Sequence, residues 1–177
     1  MPLVIPIFIP HRGCPHACLF CNQEKIAGGD STHEGGVAAT IDHWLARSRE
    51  GQVAQVAFYG GSFTCLPRAR QEELLAAVQP ALRTGRVASI RLSTRPDCLD
   101  PELCRWLAGQ GVRVVELGVQ SLSDPVLDAA GRGHSAEQSC AAVALLRDAG
   151  LEVGLQLMPG LPGETCRSFL QTITQVI

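Results

Sequence analysis

The sequence predicts a parallel α/β architecture, on three observations. Five short β-rich runs recur along the chain, stretches of helical period fall between them, and polar or glycine-rich residues follow each run. Alternating strands and helices joined by right-handed crossovers give parallel strands. The runs cover residues 3–9, 53–59, 88–94, 112–120 and 152–158. Most read as continuous apolar stretches, the pattern of strands covered on both faces. Pro6 lies inside the first run. Proline cannot donate to a ladder, so this strand is predicted at a sheet edge. An edge first strand argues for an open sheet or partial barrel over a closed eight-stranded one.

The helices follow in order. Residues 37–49 place Ile41, Trp44 and Leu45 on one side, with Arg47 and Arg49 near the end. Residues 68–82 carry Leu74, Leu75 and Val78 on one face. Asp100 is the predicted N-cap of a helix with Pro101 at its first position, running to about Ala108. Ser135 and Gln138 form a capping-box pattern that opens a helix through Val143, Leu145 and Leu146, with Gly150 as its stop. A last helix is predicted from near Glu164 to the end of the chain.

Composition narrows the function classes. The 177 residues fit one domain on a prior of ~150 residues per domain. Apolar residues are 46% of the chain, enough for a core, and charged residues only 18%, against a usual ~25%. That excludes a disordered tail, a supercharged binder and a coiled coil. A net charge of -2 gives no chain-wide footprint for nucleic acid, and Lys25 is the only lysine among mostly arginine cations. Residues 1–10 lack a basic flank, are broken by Pro2, Pro6 and Pro10, and are too short to span a bilayer. The expected compartment is the cytoplasm, where clustered cysteines read as metal-binding or catalytic rather than as a disulfide framework.

Eight cysteines are present, and only Cys14, Cys18 and Cys21 cluster. Their C-x3-C-x2-C spacing can wrap a metal centre in one loop. Structural zinc usually takes four protein ligands, often from two C-x2-C knuckles, and no second pair exists. His16 is a conceivable fourth ligand but lies crowded between Cys14 and Cys18. An iron–sulfur cube held by three thiolates, with one iron open to an outside ligand, matches better; ordinary cysteines are the third alternative. Cys65, Cys98, Cys104, Cys140 and Cys166 are expected to be buried, inert thiols. In parallel α/β folds ligands bind at the carboxyl ends of the strands. The three-cysteine loop, Gly60-Gly61-Ser62, Ser93-Thr94-Arg95-Pro96-Asp97, Gly118-Val119-Gln120-Ser121 and Met158-Pro159-Gly160-Leu161-Pro162-Gly163-Glu164 all fall there.

The three-cysteine loop, with Phe20 just before Cys21 and a Gly60-Gly61-Ser62 segment one strand later, resembles the radical S-adenosylmethionine (SAM) enzymes. The resemblance covers almost the whole chain. It implies a partial (β/α)6 TIM-like barrel, of which five strands are present, so the expectation is a single core domain over 1–177, truncated after the fifth strand and helix. It implies a [4Fe–4S] cluster on Cys14, Cys18 and Cys21, with SAM chelating the fourth iron and reductively cleaved to a 5′-deoxyadenosyl radical. It also implies an external one-electron reductant of flavodoxin or ferredoxin type. Gly60 and Gly61 would let backbone approach the methionine amino group, and Ser62 would offer a hydroxyl. Phe20 and Met158 would flank the adenine; Ser93 and Gln120 would meet ribose or methionine, and Gln156 would reach the ribose from the fifth strand. Arg132 would pair with the methionine carboxylate through its guanidinium fork. Arg95 is a further anion-binding candidate from its rim position, and His134 is expected as a capping or surface histidine. His11 and Arg12 precede the cluster and are candidates to tune it, and the loop 27–36 is a connector that could cover the site.

Within that superfamily, Ile9-Pro10-His11-Arg12-Gly13-Cys14-Pro15-His16, Phe58-Tyr59-Gly60-Gly61-Ser62-Phe63, Ser93-Thr94-Arg95-Pro96-Asp97 and Glu116-Leu117-Gly118-Val119-Gln120-Ser121 look most like bacterial relatives of the Elongator catalytic subunit's radical domain. That resemblance points to wobble uridine in transfer RNA. Its first cysteine gap is longer than the one here, and its acetyltransferase domain is absent from these residues. The oxygen-independent coproporphyrinogen oxidases, acting on a small molecule, are the alternative; they carry a further cysteine where Gln23 stands here. A non-enzymatic zinc or RNA-binding module is the alternative outside enzymes.

Overall fold

The structure is a computed structural model that describes residues 3–9, 14–22, 36–49 and 51–177. Five strands, β1 (Leu3–Phe8), β2 (Ala54–Tyr59), β3 (Ser89–Thr94), β4 (Val112–Gln120) and β5 (Glu152–Leu157), form one sheet in sequence order. Every neighbouring pair is parallel. Among the described residues six α-helices accompany them: α1 (Gly36–Leu45), α2 (Arg68–Arg83), α3 (Pro101–Gly109), α4 (Asp124–Ala129), α5 (Ala136–Asp148) and α6 (Cys166–Val176). Among the described residues β1 is an edge strand paired only with β2, so Pro6 is tolerated opposite Ala57.

The local signals explain the boundaries. The Asp100 carboxylate accepts the Leu103 N–H at 2.8 Å and starts α3. Ser135 and Gln138 close a reciprocal capping box on α5, and Gly150 follows that helix at φ +75°, a left-handed value suited to glycine. The last helix starts at Cys166 behind a Thr165–Ser168 capping box, while Glu164 accepts the Gly160 N–H at 2.6 Å. α4 is one short segment that the periodicity of the sequence does not reveal, and α1 ends four residues before the predicted stop.

The expectation of strands covered on both faces needs correction. One face is core: Ile5, Ile7, Val56, Phe58, Ile90, Leu92, Val115 and Leu117 are buried against Leu74, Leu75, Val78, Leu107 and Leu146. The alternate positions carry Gln55, Tyr59, Arg91, Ser93, Glu116 and Gln156 and form a polar inner face. β2 to β5 therefore alternate, with apolar residues towards the helices and these polar residues on the other face, while β1 carries Val4, Pro6 and Phe8 at the alternate positions.

The scattered cysteines also depart from expectation. Cys65 and Cys98 are joined in a disulfide. Cys140 and Cys166 are exposed, because each lies on the outer side of its helix; Cys104 alone is the expected buried thiol, pushed up to about 11 chiefly by burial. Parallel pairing of β2 with β3 brings the two following loops together, which the 33-residue separation of Cys65 and Cys98 does not announce.

Candidate functional site

The five strands aim their carboxyl ends at one rim. The β1 loop lies against the segment after α4, where the Leu19 N–H donates to the Ala130 carbonyl at 3.0 Å. A Cβ on Gly133 would lie 2.5 Å from the His16 ring, so only glycine lets the cysteine loop approach this closely. After β2, Gly60 has φ +93°, and a Cβ there would sit 3.0 Å from the Ile9 carbonyl oxygen. After β3 and β4 come two arginines, both buried: Arg95 and Arg132.

A cavity of about 140 Å³ opens between these loops, lined by Cys14, His16, Cys18, Phe20, Cys21, Gly61, Ser62, Ser93, Thr94, Arg95, Gly118, Gln120, Arg132 and Gln156. Ten of the twelve residues expected to hold the cluster or SAM meet there, with His16 and Arg95 beside them. Gly60 stands just outside as the turn that delivers Gly61. Met158 packs instead with Phe20 on a small cluster of Val126, Ala130 and Leu161, beside the cavity. His11, Arg12, Gln23 and most of the 27–36 loop lie outside the described residues.

The electrostatics are those of a site for anions. The Arg132 guanidinium donates to the Cys18 sulfur at 3.4 Å and to the Gly118 carbonyl. Among the described residues it has no carboxylate partner, and its buried Nε has no hydrogen-bond partner. A buried cation without a counter-charge is costly, so the site is built to receive negative groups. Arg95 is not the free anion binder expected from the rim. Its guanidinium is held bidentately by Asp97 at 2.9 and 3.2 Å, donates to the Arg132 carbonyl at 2.5 Å and reaches Cys18 Sγ at 3.8 Å. His16 approaches the same Asp97 at 3.5 Å. Burial pushes the Cys14 thiol up, while the Arg95 and Arg132 charges pull it towards the thiolate. His134 is buried rather than a surface cap, and burial, reinforced by the Arg132 and Arg95 charges, lowers it to about 4.

Two features escaped the sequence. Gln120 has φ +71°, the one non-glycine residue in the left-handed region among the described residues, at a register shift between Gly118 and Gln120. Strained backbone of this kind is held where a side chain must be aimed. The second is Glu116, at the centre of the inner face. Its carboxylate accepts from Arg91 at 3.0 Å, Gln156 at 2.9 Å, and Ser93 and Tyr59 at 3.5 Å each. It thus holds two cavity-lining side chains, Ser93 and Gln156, in place. A glutamate in a strand pattern carries no sign of this role until four strands are laid side by side.

The donor set fits an iron–sulfur cluster. Three thiols border one cavity beside two buried cations, the kind of donor set that holds such a cluster.

Comparison with known proteins shows the family. The family model of the radical SAM superfamily matches residues 8–176, and the chain belongs to that superfamily. Its enzymes use a [4Fe–4S] cluster and SAM and require an external electron donor. A tRNA uridine(34) acetyltransferase of Methanocaldococcus jannaschii is 42% identical over 199 aligned positions, covering 90% of this chain and 37% of that protein. Protein YhcC of Escherichia coli K12 is 30% identical, covering 90% of this chain and 52% of its own. The chain thus spans about half or less of the length of these relatives. Two solved structures share the fold. The archaeal Methanocaldococcus infernus Elp3 superposes with TM-score 0.72 at 22% identity, covering 98% of this chain and 42% of that one. The coproporphyrinogen III oxidase of Escherichia coli gives 0.71 at 24% identity, covering 99% and 41%. No helix among the described residues is long and apolar enough to cross a membrane.

Proposed function

We propose that this chain is the core of an enzyme that reductively cleaves SAM at a [4Fe–4S] cluster held by Cys14, Cys18 and Cys21, and that its substrate is the wobble uridine of a transfer RNA. The observation that carries the first half is the meeting of three thiols, two buried arginines and the Gly61-Ser62 segment around one cavity. Together the two cofactors supply one-electron cleavage of the sulfonium and a hydrogen-abstracting 5′-deoxyadenosyl radical. The chain's own residues bind, orient and shield. Arg132 places a guanidinium against Cys18 on the cavity wall, where its positive charge faces the methionine carboxylate. Gly61 and Ser62 bring backbone to the methionine end after the turn at Gly60, with the Ser62 hydroxyl holding the β2 and β3 loops together. Ser93 and Gln156, steadied by Glu116, face the ribose, with Gln120 aimed by its strained backbone. Phe20 and Met158 cover the adenine and exclude water from that side. A ferredoxin- or flavodoxin-type protein is the electron donor.

The ligand assignment is tested by anaerobic reconstitution with iron and sulfide. The wild-type chain is expected to bind about four irons and turn brown. Cys18→Ala is expected to lose both iron and SAM cleavage, while Cys140→Ala, changed on an exposed helix face, keeps both. Equal loss in the two variants overturns the assignment.

The substrate reading is supported by the identity to a protein named a tRNA uridine(34) acetyltransferase. A transcript carrying uridine at the wobble position is expected to raise the rate of SAM cleavage, and the same transcript with cytidine there is not. Equal rates with both would refute a uridine substrate.

A further inference from the structure

We propose that Cys65 and Cys98 form a thiol–disulfide exchange site that sets the spacing of the β2 and β3 loops around the cavity. The inference rests on the reading of that cavity as the cluster and SAM site. The two cysteines occupy matching places: Cys65 closes the 3-10 turn Phe63–Cys65 directly after Ser62, and Cys98 closes the turn Pro96–Cys98 directly after Arg95. Their Cα atoms are 5.4 Å apart, within the range a disulfide bridges. Both residues are partly exposed, and exchange requires a thiol to reach one of the two sulfurs.

The pair is wired to the site through one side chain. The Ser62 hydroxyl contacts Cys65 Sγ at 2.9 Å and Thr94 Oγ1 at 3.0 Å, and accepts the Arg95 N–H at 3.1 Å. Arg95 in turn reaches Cys18 Sγ at 3.8 Å. A change at the bond therefore lies two side chains from a cluster thiol. With the bond closed, the β2 and β3 loops are clamped together with Ser62 between them. With it open, two thiol sulfurs cannot remain at bonding distance, so the turns separate and the Ser62 contacts to Thr94 and Arg95 loosen.

The exchange balances with a low-molecular-weight disulfide such as oxidised glutathione. The thiolate of one cysteine attacks a glutathione sulfur and releases one glutathione thiolate. The second cysteine attacks the mixed disulfide and releases the other. Two protein thiols and one glutathione disulfide become one protein disulfide and two glutathione thiols, and two electrons pass to the glutathione. A dithiol reductant reverses the step and ends as its own disulfide.

The test uses the full, cluster-loaded chain equilibrated anaerobically in oxidised or reduced glutathione, then alkylated and peptide-mapped. A 65–98 cross-link is expected in the oxidised sample, and alkylation at both positions in the reduced one. SAM is expected to bind roughly fivefold or more weakly to the reduced form, as for two coupled sites. The double variant C65S/C98S should show the weaker affinity in both buffers. Alkylation of both cysteines at every glutathione ratio, or one affinity for both forms, overturns the proposal. If neither form binds SAM, the functional reading fails instead, and amide exchange over residues 60–66 and 94–98 decides the clamp. Faster exchange on reduction supports it, and unchanged exchange overturns it.

Discussion

At Arg132 and His134, two residues apart in the chain, the site shows its electrostatic logic. Arg132 brings a buried cation to Cys18, and His134, buried beside that cation, is held neutral with its titration lowered to about 4. Among the described residues neither ring nitrogen of His134 has a hydrogen-bond partner. In the unfolded chain the same ring takes up its proton near pH 6.5. Between pH 6.5 and 4 the unfolded state therefore binds more protons, and stability falls as pH falls through that window. At pH 5 the loss is roughly 2 kcal/mol. His134→Leu removes the titration, so the Tm difference between wild type and variant is expected to shift in favour of the variant between pH 7.5 and pH 5. A difference that stays constant would show that His134 is not the buried neutral group described. Nothing in the string Gly131-Arg132-Gly133-His134 marks the histidine as buried. That follows only from its packing against the ends of β3 and β4, beside Arg95, Asp97 and Val119.

The strands, turns and capped helices were largely legible, because their signals are local. β4 spans the predicted 112–120, α3 starts on Asp100, and the Ser135–Gln138 capping box forms. The rim loops followed from where parallel strands end. What the sequence does not show is pairing across elements: Cys65 with Cys98, Asp97 with Arg95, and the four donors on Glu116. Each needs the register of adjacent strands, and no periodicity carries that. The contact between the cysteine loop and the α4–α5 segment is of the same kind and makes a prediction at this scale. Gly133 sits at φ +73° with the His16 ring against it. Gly133→Ala is expected to lower stability by about 1–3 kcal/mol, or several degrees in Tm, and to speed iron loss from the reconstituted protein. A variant with wild-type Tm and iron retention would mean that the two segments do not pack as described.

Over the whole molecule, one sheet serves two purposes by alternation. Its outer face, with Val56, Phe58, Ile90, Leu92 and Leu117, buries the core under the helices. Its inner face keeps Arg91, Glu116 and Gln156 available to the concave side, and its carboxyl rim gathers the cysteines, glycines and arginines. Fold and site are thus consequences of the same parallel topology, and the superfamily match over residues 8–176 covers both. The direct test of the central claim is product release from the reconstituted chain. Incubated anaerobically with dithionite and SAM, it is predicted to release 5′-deoxyadenosine, and the Cys18→Ala chain is not. An iron-loaded, folded chain that releases no 5′-deoxyadenosine, with or without added transfer RNA, would contradict the account.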